Sequence, residues 1–497
     1  MNLLALLIIP LLTGIFILLE RRPKQVRWLA LIGASLQLVA ALMLFFGYTQ
    51  KVKTISSGPI IFQEQYNWYP SWNIGLHIGV DGISVAMIML TSFVVIAGVL
   101  VSWNMNKMTN SFFFLLILLS LGAYGFFISL DLFTLFFFLA IAVIPKYLLI
   151  GIWGSGRKEY SANKLALMLM GGSALILVGI LALYFSYPEG SRTFDMLQIA
   201  AKDIPVETQR FIFPLIFIGF GVFTALFPFH TWVPDGHSSA PTAGSMFLAG
   251  ISMKLGGYGC LRAATWLMPE GAKEYSMIII VLSTIAIIYG AFATMMQKDL
   301  KYINAYSSVS HCGFVLLGIG MLTKTALTGA VFQMVSHGLM TALFFAVIGM
   351  IYERTHTRMV ADMGGLMKVM PFITTVMFIA GLCSLGLPGF SGFVAEMTVF
   401  MGGWEHAGTF YRVATVLACM SIVVTAVYIL RAIGSTAMGP ITNEKFKGLG
   451  DAEWNEKLAA IILIAGIVAM GVAPFWLNEL VTPGTELIMQ KIGALPK

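Results

Sequence analysis

Seven ionisable side chains lie in stretches too apolar for a water-exposed surface. Lys254 follows Leu248-Ala249-Gly250-Ile251-Ser252-Met253, and Glu396 sits in Phe393-Val394-Ala395-Glu396-Met397. His337 is enclosed by Gln333-Met334-Val335-Ser336 and Gly338-Leu339-Met340, and His311 follows Tyr306-Ser307-Ser308-Val309-Ser310. Asp81 and Asp131 lie near helix starts, and Lys146 directly follows Pro145. An ionisable group at membrane depth costs about 2.5–3.5 kcal/mol on insertion scales, so each is a functional hypothesis by default. Burial brings amines, imidazoles and carboxylates closer in proton affinity, and a row of such groups can pass protons with little driving force. Each residue also has a plainer reading. Asp81 and Asp131 could be helix N-caps, and Lys146 could snorkel to headgroups. His311 could tie helices together by hydrogen bonds, while Lys254 and Glu396 could belong to an interhelical ion pair.

The elements that must position these groups are membrane helices. The 497 residues are 58% hydrophobic and 11% charged, with a mean hydropathy of +0.87. A soluble domain carries roughly 25% charged residues. Apolar runs of roughly 17–25 residues mark spans, here expected over 2–19, 28–47, 80–103, 111–129, 131–152, 163–184, 211–228, 241–264, 276–296, 303–321, 325–352, 370–402, 411–431 and 457–478. The twelfth is too long for one helix. Gly386-Leu387-Pro388-Gly389-Phe390-Ser391-Gly392 should break it, and Phe227-Pro228-Phe229-His230 ends the seventh irregularly. Broken helices survive in a bilayer only where freed backbone is buried in protein or lines a wet cavity. Their spacing suggests two inverted five-helix repeats, spans 4–8 and 9–13. The expected fold is thus all-α, about fourteen spans, broken in helices 7 and 12. Its expected parts are an N-terminal segment 1–110, repeats 111–265 and 266–431, and a loop with C-terminal helix 432–497. No leader cleavage is expected after residues 2–19, because the basic Glu20–Arg27 loop offers no small-residue site.

Placing both termini on the non-cytoplasmic side puts 17 of the 30 Lys and Arg in inner loops, which favours that orientation. The net charge of +7 then reads as loop charge and not as a nucleic-acid surface. Cys260, Cys312, Cys383 and Cys419 are scattered through apolar stretches, without metal or iron–sulfur spacing, and read as packing residues. No Gly-x-Gly-x-x-Gly opens a helix after a strand.

Several motifs resemble the antiporter-like subunits of respiratory complex I. They are Gly79-Val80-Asp81-Gly82-Ile83-Ser84, the run Phe227-Pro228-Phe229-His230-Thr231-Trp232-Val233-Pro234-Asp235-Gly236-His237, and Ala240-Pro241-Thr242-Ala243-Gly244-Ser245. Tyr306–His311, Tyr352-Glu353-Arg354-Thr355-His356-Thr357-Arg358 and the Leu387-Pro388-Gly389 break before Glu396 extend the likeness over nearly the whole chain, most closely toward the subunit M type. The resemblance implies proton carriage through two half-channels joined by a central charged row. It casts Lys254 as the bridging lysine, His337 as the relay histidine and Glu396 as the exit-side acid. NADH, FMN, iron–sulfur clusters and quinone are then expected in partner subunits, with none in this chain. The expected partners are homologous membrane subunits and the lipid bilayer, not nucleic acid. The expected location is a bacterial inner membrane.

Two family positions depart together. A glutamate is expected five residues before Pro145, where Ala140 stands, and a lysine five before Pro228, where Phe223 stands. Losing one member alone would strand a buried charge at about 3–5 kcal/mol, whereas losing both is electrostatically consistent. Lys146 is the candidate for compensation. It lies six residues from Ala140, about 240° net around an ideal helix, and so faces elsewhere. The expectation is an intact output half with a modified or missing input half. Competing readings are a structural subunit that no longer pumps and a subunit of a cation/proton antiporter. The short segment Asp195–Lys202 should lie at the outer interface, and the 432–456 stretch should form an inner loop.

Overall fold

The computed structural model describes residues 2–54 and 58–493, and among these the chain is mostly helical. Inside lipid a backbone must satisfy its own hydrogen bonds, so apolar runs become helices. The first group comprises α1 (Ala5–Leu19), α2 (Pro23–Val52), α3 (Gly82–Val101), α4 (Thr109–Ile128), α5 (Leu132–Trp153) and α6 (Lys158–Phe185). After the short α7 (Met196–Ala200), α8 (Val206–Thr224) leads into α9 (Trp232–Ser239), α10 (Thr242–Phe247) and α11 (Met253–Gly259). The remainder comprises α12 (Pro269–Met295), α13 (Leu300–Gly320), α14 (Lys324–Thr355), α15 (Pro371–Ser384), α16 (Ser391–Trp404), α17 (Thr409–Ala437), α18 (Trp454–Val472) and α19 (Phe475–Gly493). Ten of the described helices are long and apolar enough to cross a membrane. α13 is not among them, because Asn304 and the Tyr306–His311 run dilute its hydropathy. It is nonetheless buried along almost its whole length.

α14 is the axis of the bundle. It packs against α3, α10, α13, α15, α16, α18 and α19, and its apolar stretch has no exposed face. A helix that is apolar all round and wholly enclosed by protein is a core helix. By contrast α2, α6, α17 and α18 bury one stripe and turn Leu, Ile, Val and Met outward, as lipid-facing helices do.

Four features differ from the expected span pattern. Residues 61–80 form an antiparallel hairpin, β1 (Ile61–Tyr69) with β2 (Ile74–Val80), so the chain is not purely helical. Its turn closes through Asn73 in a left-handed conformation, which Asn tolerates better than most residues. The expected span 457–478 divides between α18 and α19 at Pro474, since proline there removes an amide donor and clashes with the preceding turn. The expected span 241–264 is interrupted twice by π-helical turns, at Leu248–Ser252 and Cys260–Trp266. The seventh span stops at Thr224, ahead of the Phe227-Pro228 run, with Ala225 left-handed and Leu226 N–H bonded back to Gly221. The twelfth breaks where expected: Gly386 and Gly389 take positive φ between α15 and α16, a conformation glycine adopts without a Cβ penalty. Asp195 caps α7, whose five residues are too few to form an amphipathic surface helix.

Candidate functional site

The interruptions and the buried charges coincide. Lys254 sits on α11, between the two π-helical turns. Such turns widen a helix locally and are frequent at functional sites. Here Lys254 Nζ reaches back to donate to Ala249 O at 2.5 Å and shares a 2.8 Å hydrogen bond with His337 Nδ1 of α14. Both side chains are 1% exposed. Cys312 Sγ lies 3.7 Å from the same imidazole nitrogen, whereas His337 Nε2 is buried without a partner among the described residues.

From His337 the polar row continues onto α13. The His337 and His311 rings are 5.4 Å apart between centroids. His311 Nδ1 is 3.3 Å from Glu396 Oε1 on α16 and 3.3 Å from Gln333 Nε2, while its Nε2 meets Ser384 Oγ at 3.1 Å. The helix break makes room for Glu396 beside His311. Gly386 carries no side chain, and a Cβ there would stand 2.7 Å from Glu396 Oε2. Serines line the same seam, with Ser336 Oγ and Ser391 Oγ 2.8 Å apart. Lys254, His337, His311 and Glu396 therefore form one buried row contributed by four helices.

The other residues singled out from the sequence lie elsewhere. Asp131 caps α5, accepting from Phe133 N and Thr134 N at 2.9 Å, and bridges to the Asp195 backbone. Asp195 in turn meets His77 Nδ1 at 2.7 Å. Burial pushes the Asp195 carboxyl up, but its hydrogen bonds to His77 and to the Leu197 and Gln198 amides outweigh this and hold it below the ordinary value. Asp81 caps α3 through Ser84 N and also pairs with Arg262, which is buried within the second π-helical turn. Ala140 lines a groove open to the outside, with Tyr147, Asn163, Leu167, Met170 and Ser173. Lys146 turns inward, 1% exposed, with Nζ 5.8 Å from the Phe223 ring centroid and no hydrogen-bond partner among the described residues.

Two features of this region escape sequence reasoning. His237 is wholly buried, stacked on Phe345 at 5.3 Å, with neither ring nitrogen hydrogen-bonded among the described residues. The Trp232–His237 motif contained it but did not mark it as a buried imidazole. The Arg262–Asp81 pair left no local signal, since its members are far apart in sequence. Of the four cysteines, Cys260, Cys312 and Cys383 are buried, whereas Cys419 faces outward from its apolar helix.

A multi-pass helix bundle with a buried row of lysine, histidine and carboxylate groups defines a class of membrane protein that handles protons or cations. The particular family follows from the comparisons. Residues 129–421 match the transmembrane family NADH:quinone oxidoreductase/Mrp antiporter, and the chain belongs to it. It is 37% identical to a NAD(P)H-quinone oxidoreductase chain 4 of Microcystis aeruginosa over 88% of this chain and 79% of that one. It is 34% identical to NADH-quinone oxidoreductase subunit M of Rickettsia bellii over 94% of each. Its fold superimposes on a chain of respiratory complex I from Thermus thermophilus with a TM-score of 0.89 at 26% identity, covering 99% of this chain and 100% of that one. A chain of the Mrp complex of Dietzia sp. shares the fold, with a TM-score of 0.86 at 18% identity over 99% and 98% of the two chains.

Proposed function

We propose that this chain is a proton-carrying membrane-arm subunit of an NADH:quinone oxidoreductase. A proton held at Lys254 passes to His337, then to His311, and leaves through Glu396. The observation that carries this reading is the buried row itself: Lys254 to His337 at 2.8 Å and His311 to Glu396 at 3.3 Å. Purely structural charges would be paired within one contact, yet these extend across four helices. His237, buried on α9, belongs to the approach to Lys254.

The wider reading has several parts. Fourteen spans result when α1, the π-interrupted eighth span, α13 and the broken twelfth are added to the ten long apolar helices, with 111–265 and 266–431 as inverted repeats between the 1–110 and 432–497 segments. Both termini lie on the non-cytoplasmic side of a bacterial inner membrane. NADH, FMN, iron–sulfur clusters and quinone reside in partner subunits, and the closest partners are homologous antiporter-like subunits. Support comes from the relatives' names, the basic inner loops and the two helix breaks. A second reading, a subunit that seals and transmits without pumping, draws on Ala140 and Phe223 standing where a charged pair is expected.

NADH-driven proton uptake by proteoliposomes of the purified native complex separates the two. Lys254→Ala is expected to abolish the uptake that depends on this subunit and to slow turnover. Unchanged protons per NADH together with unchanged turnover would make Lys254 structural and favour the second reading.

A further inference from the structure

Lys146 is a buried charge that the row above does not use. Its amine sits in protein, 1% exposed, with no hydrogen-bond partner of any kind among the described residues. Snorkelling is excluded, because an amine that reached the headgroups would be exposed at its tip. An ion pair is excluded among the described residues as well, since none of their carboxylates is bonded to it. A side chain needed only for packing would be Met or Leu, which fill the same volume without burying a charge. The side chain therefore faces a site whose use depends on its proton.

What it faces is the end of α8. Lys146 Nζ lies 5.8 Å from the centroid of the Phe223 ring, within the range over which an aromatic face attracts an ammonium. Phe223 is buried, and its ring edge packs on Gly172 of α6, where a Cβ would stand 3.4 Å from Cε2. The next residue, Thr224, lies against the helix that carries Lys254: a Cβ on Gly256 would stand 2.6 Å from Thr224 N. Two adjacent residues at the end of α8 thus face Lys146 and the helix that carries Lys254, one each. Ala140, on the other face of α5, lines the outward groove.

We infer that Lys146 is the input-side proton carrier of this chain, a buried amine transferred from α8 to α5 so that it reaches the end of α8 from across the helix interface. This rests on the proton-carrying reading of the Lys254 row. The neutral amine takes up one proton from the inner side, and the ammonium is held against the face of Phe223. Release toward Lys254 returns the amine, and no other group changes its covalent state. No carboxylate opposes the ammonium, so the charged form is transient, as a carrier requires.

Transposing the charge tests the idea in the intact complex reconstituted into proteoliposomes. Lys146→Met keeps the volume and removes the amine, and is expected to lower NADH-driven proton uptake and coupled turnover by about a hundredfold, the lower end of what a positioned proton-transfer group contributes. The double variant Lys146→Met with Phe223→Lys places the amine on α8 and is expected to recover most of the lost uptake. Normal uptake in Lys146→Met would overturn the inference, as would a deficient single variant that the double variant fails to rescue in an assembled complex. Lys254→Ala is run alongside. If it loses uptake while Lys146→Met does not, only Lys146 is misassigned; if neither loses uptake, the proton-carrying reading itself falls.

Discussion

The two sides of Lys254 treat buried charge in opposite ways. Toward α16 the titratable groups follow one another closely, and most are held by neighbours: Ala249 O and His337 for the lysine, Gln333 and Ser384 for His311, and the space left by Gly386 for Glu396. Toward α5 a single ammonium-forming group stands over an aromatic ring, with no polar contact among the described residues. The first arrangement lowers the cost of its charges through the hydrogen bonds at Lys254–His337 and around His311. The second leaves the charge costly and therefore short-lived. On the proposed reading, continuity would serve storage and handover, and isolation would serve intermittent loading. One chain contains both because α8 and α15–α16 break differently. The α15–α16 break turns on glycines and admits a carboxylate, whereas α8 ends against Phe223 and admits only a side chain from the facing helix.

Breaking the continuous side should have the largest effect. Glu396→Gln keeps the shape but removes the carboxylate proposed as the terminal proton acceptor. Proton uptake per NADH in proteoliposomes should fall at least as far as for Lys254→Ala, and uptake equal to wild type would remove Glu396 from the row. The transposition of Lys146 onto α8 comes next and probes the isolated side alone. A smaller effect is expected from Gly386→Ala. The new methyl would combine a left-handed backbone, costing about 1–2 kcal/mol for a residue other than glycine, with crowding of Glu396 Oε2 at 2.7 Å. The apparent unfolding temperature of the complex should drop and proton uptake should fall partially. A variant as stable and active as wild type would show that the break does not depend on glycine.

The smallest effects belong to the outer rim, which lies off both sides. Asp131→Ala removes an N-cap worth about 1 kcal/mol. It should lower thermal stability slightly while leaving protons per NADH unchanged; a loss of coupling would bring Asp131 into the pathway. The Asp195 carboxyl is held below its ordinary value, so the stability it contributes is present above the usual carboxylate pKa of about 3.9 and disappears only as pH falls through the lowered folded value. Protection of the 186–205 loop from proteolysis should therefore be the same at pH 8 and pH 5 in wild type and weaker at both in Asp195→Asn. Protection lost between those pH values in wild type would contradict the assignment.

The helix breaks show how far local sequence reaches. Gly386 and Gly389 announced the break in the twelfth span, because positive φ is a property of the residue itself. The two π-helical turns around Lys254 were not announced, because residues 248–266 read as an ordinary apolar helix; the widening is imposed where α11 packs on α8 and α14. The hairpin 61–80 was overlooked beneath the hydropathy of its neighbours, although Glu64, Tyr66 and Trp68 share one face of β1. Lys146 was legible as a buried charge pointing away from Ala140. Its destination at Phe223 was not.

By itself the sequence determined the class of protein, the positions of most spans and the identity of the costly charges. Hydropathy acts over one helix length, and an ionisable residue in an apolar run is visible wherever the run folds. Only the tertiary structure decided that Lys254, His337, His311 and Glu396 form one row while Lys146 stands alone above Phe223. Those contacts join α11, α14, α13 and α16 in one case and α5 with α8 in the other. Which side chains meet across helices depends on crossing geometry, helix breaks and rotamers summed over the whole bundle, and no single segment carries that information.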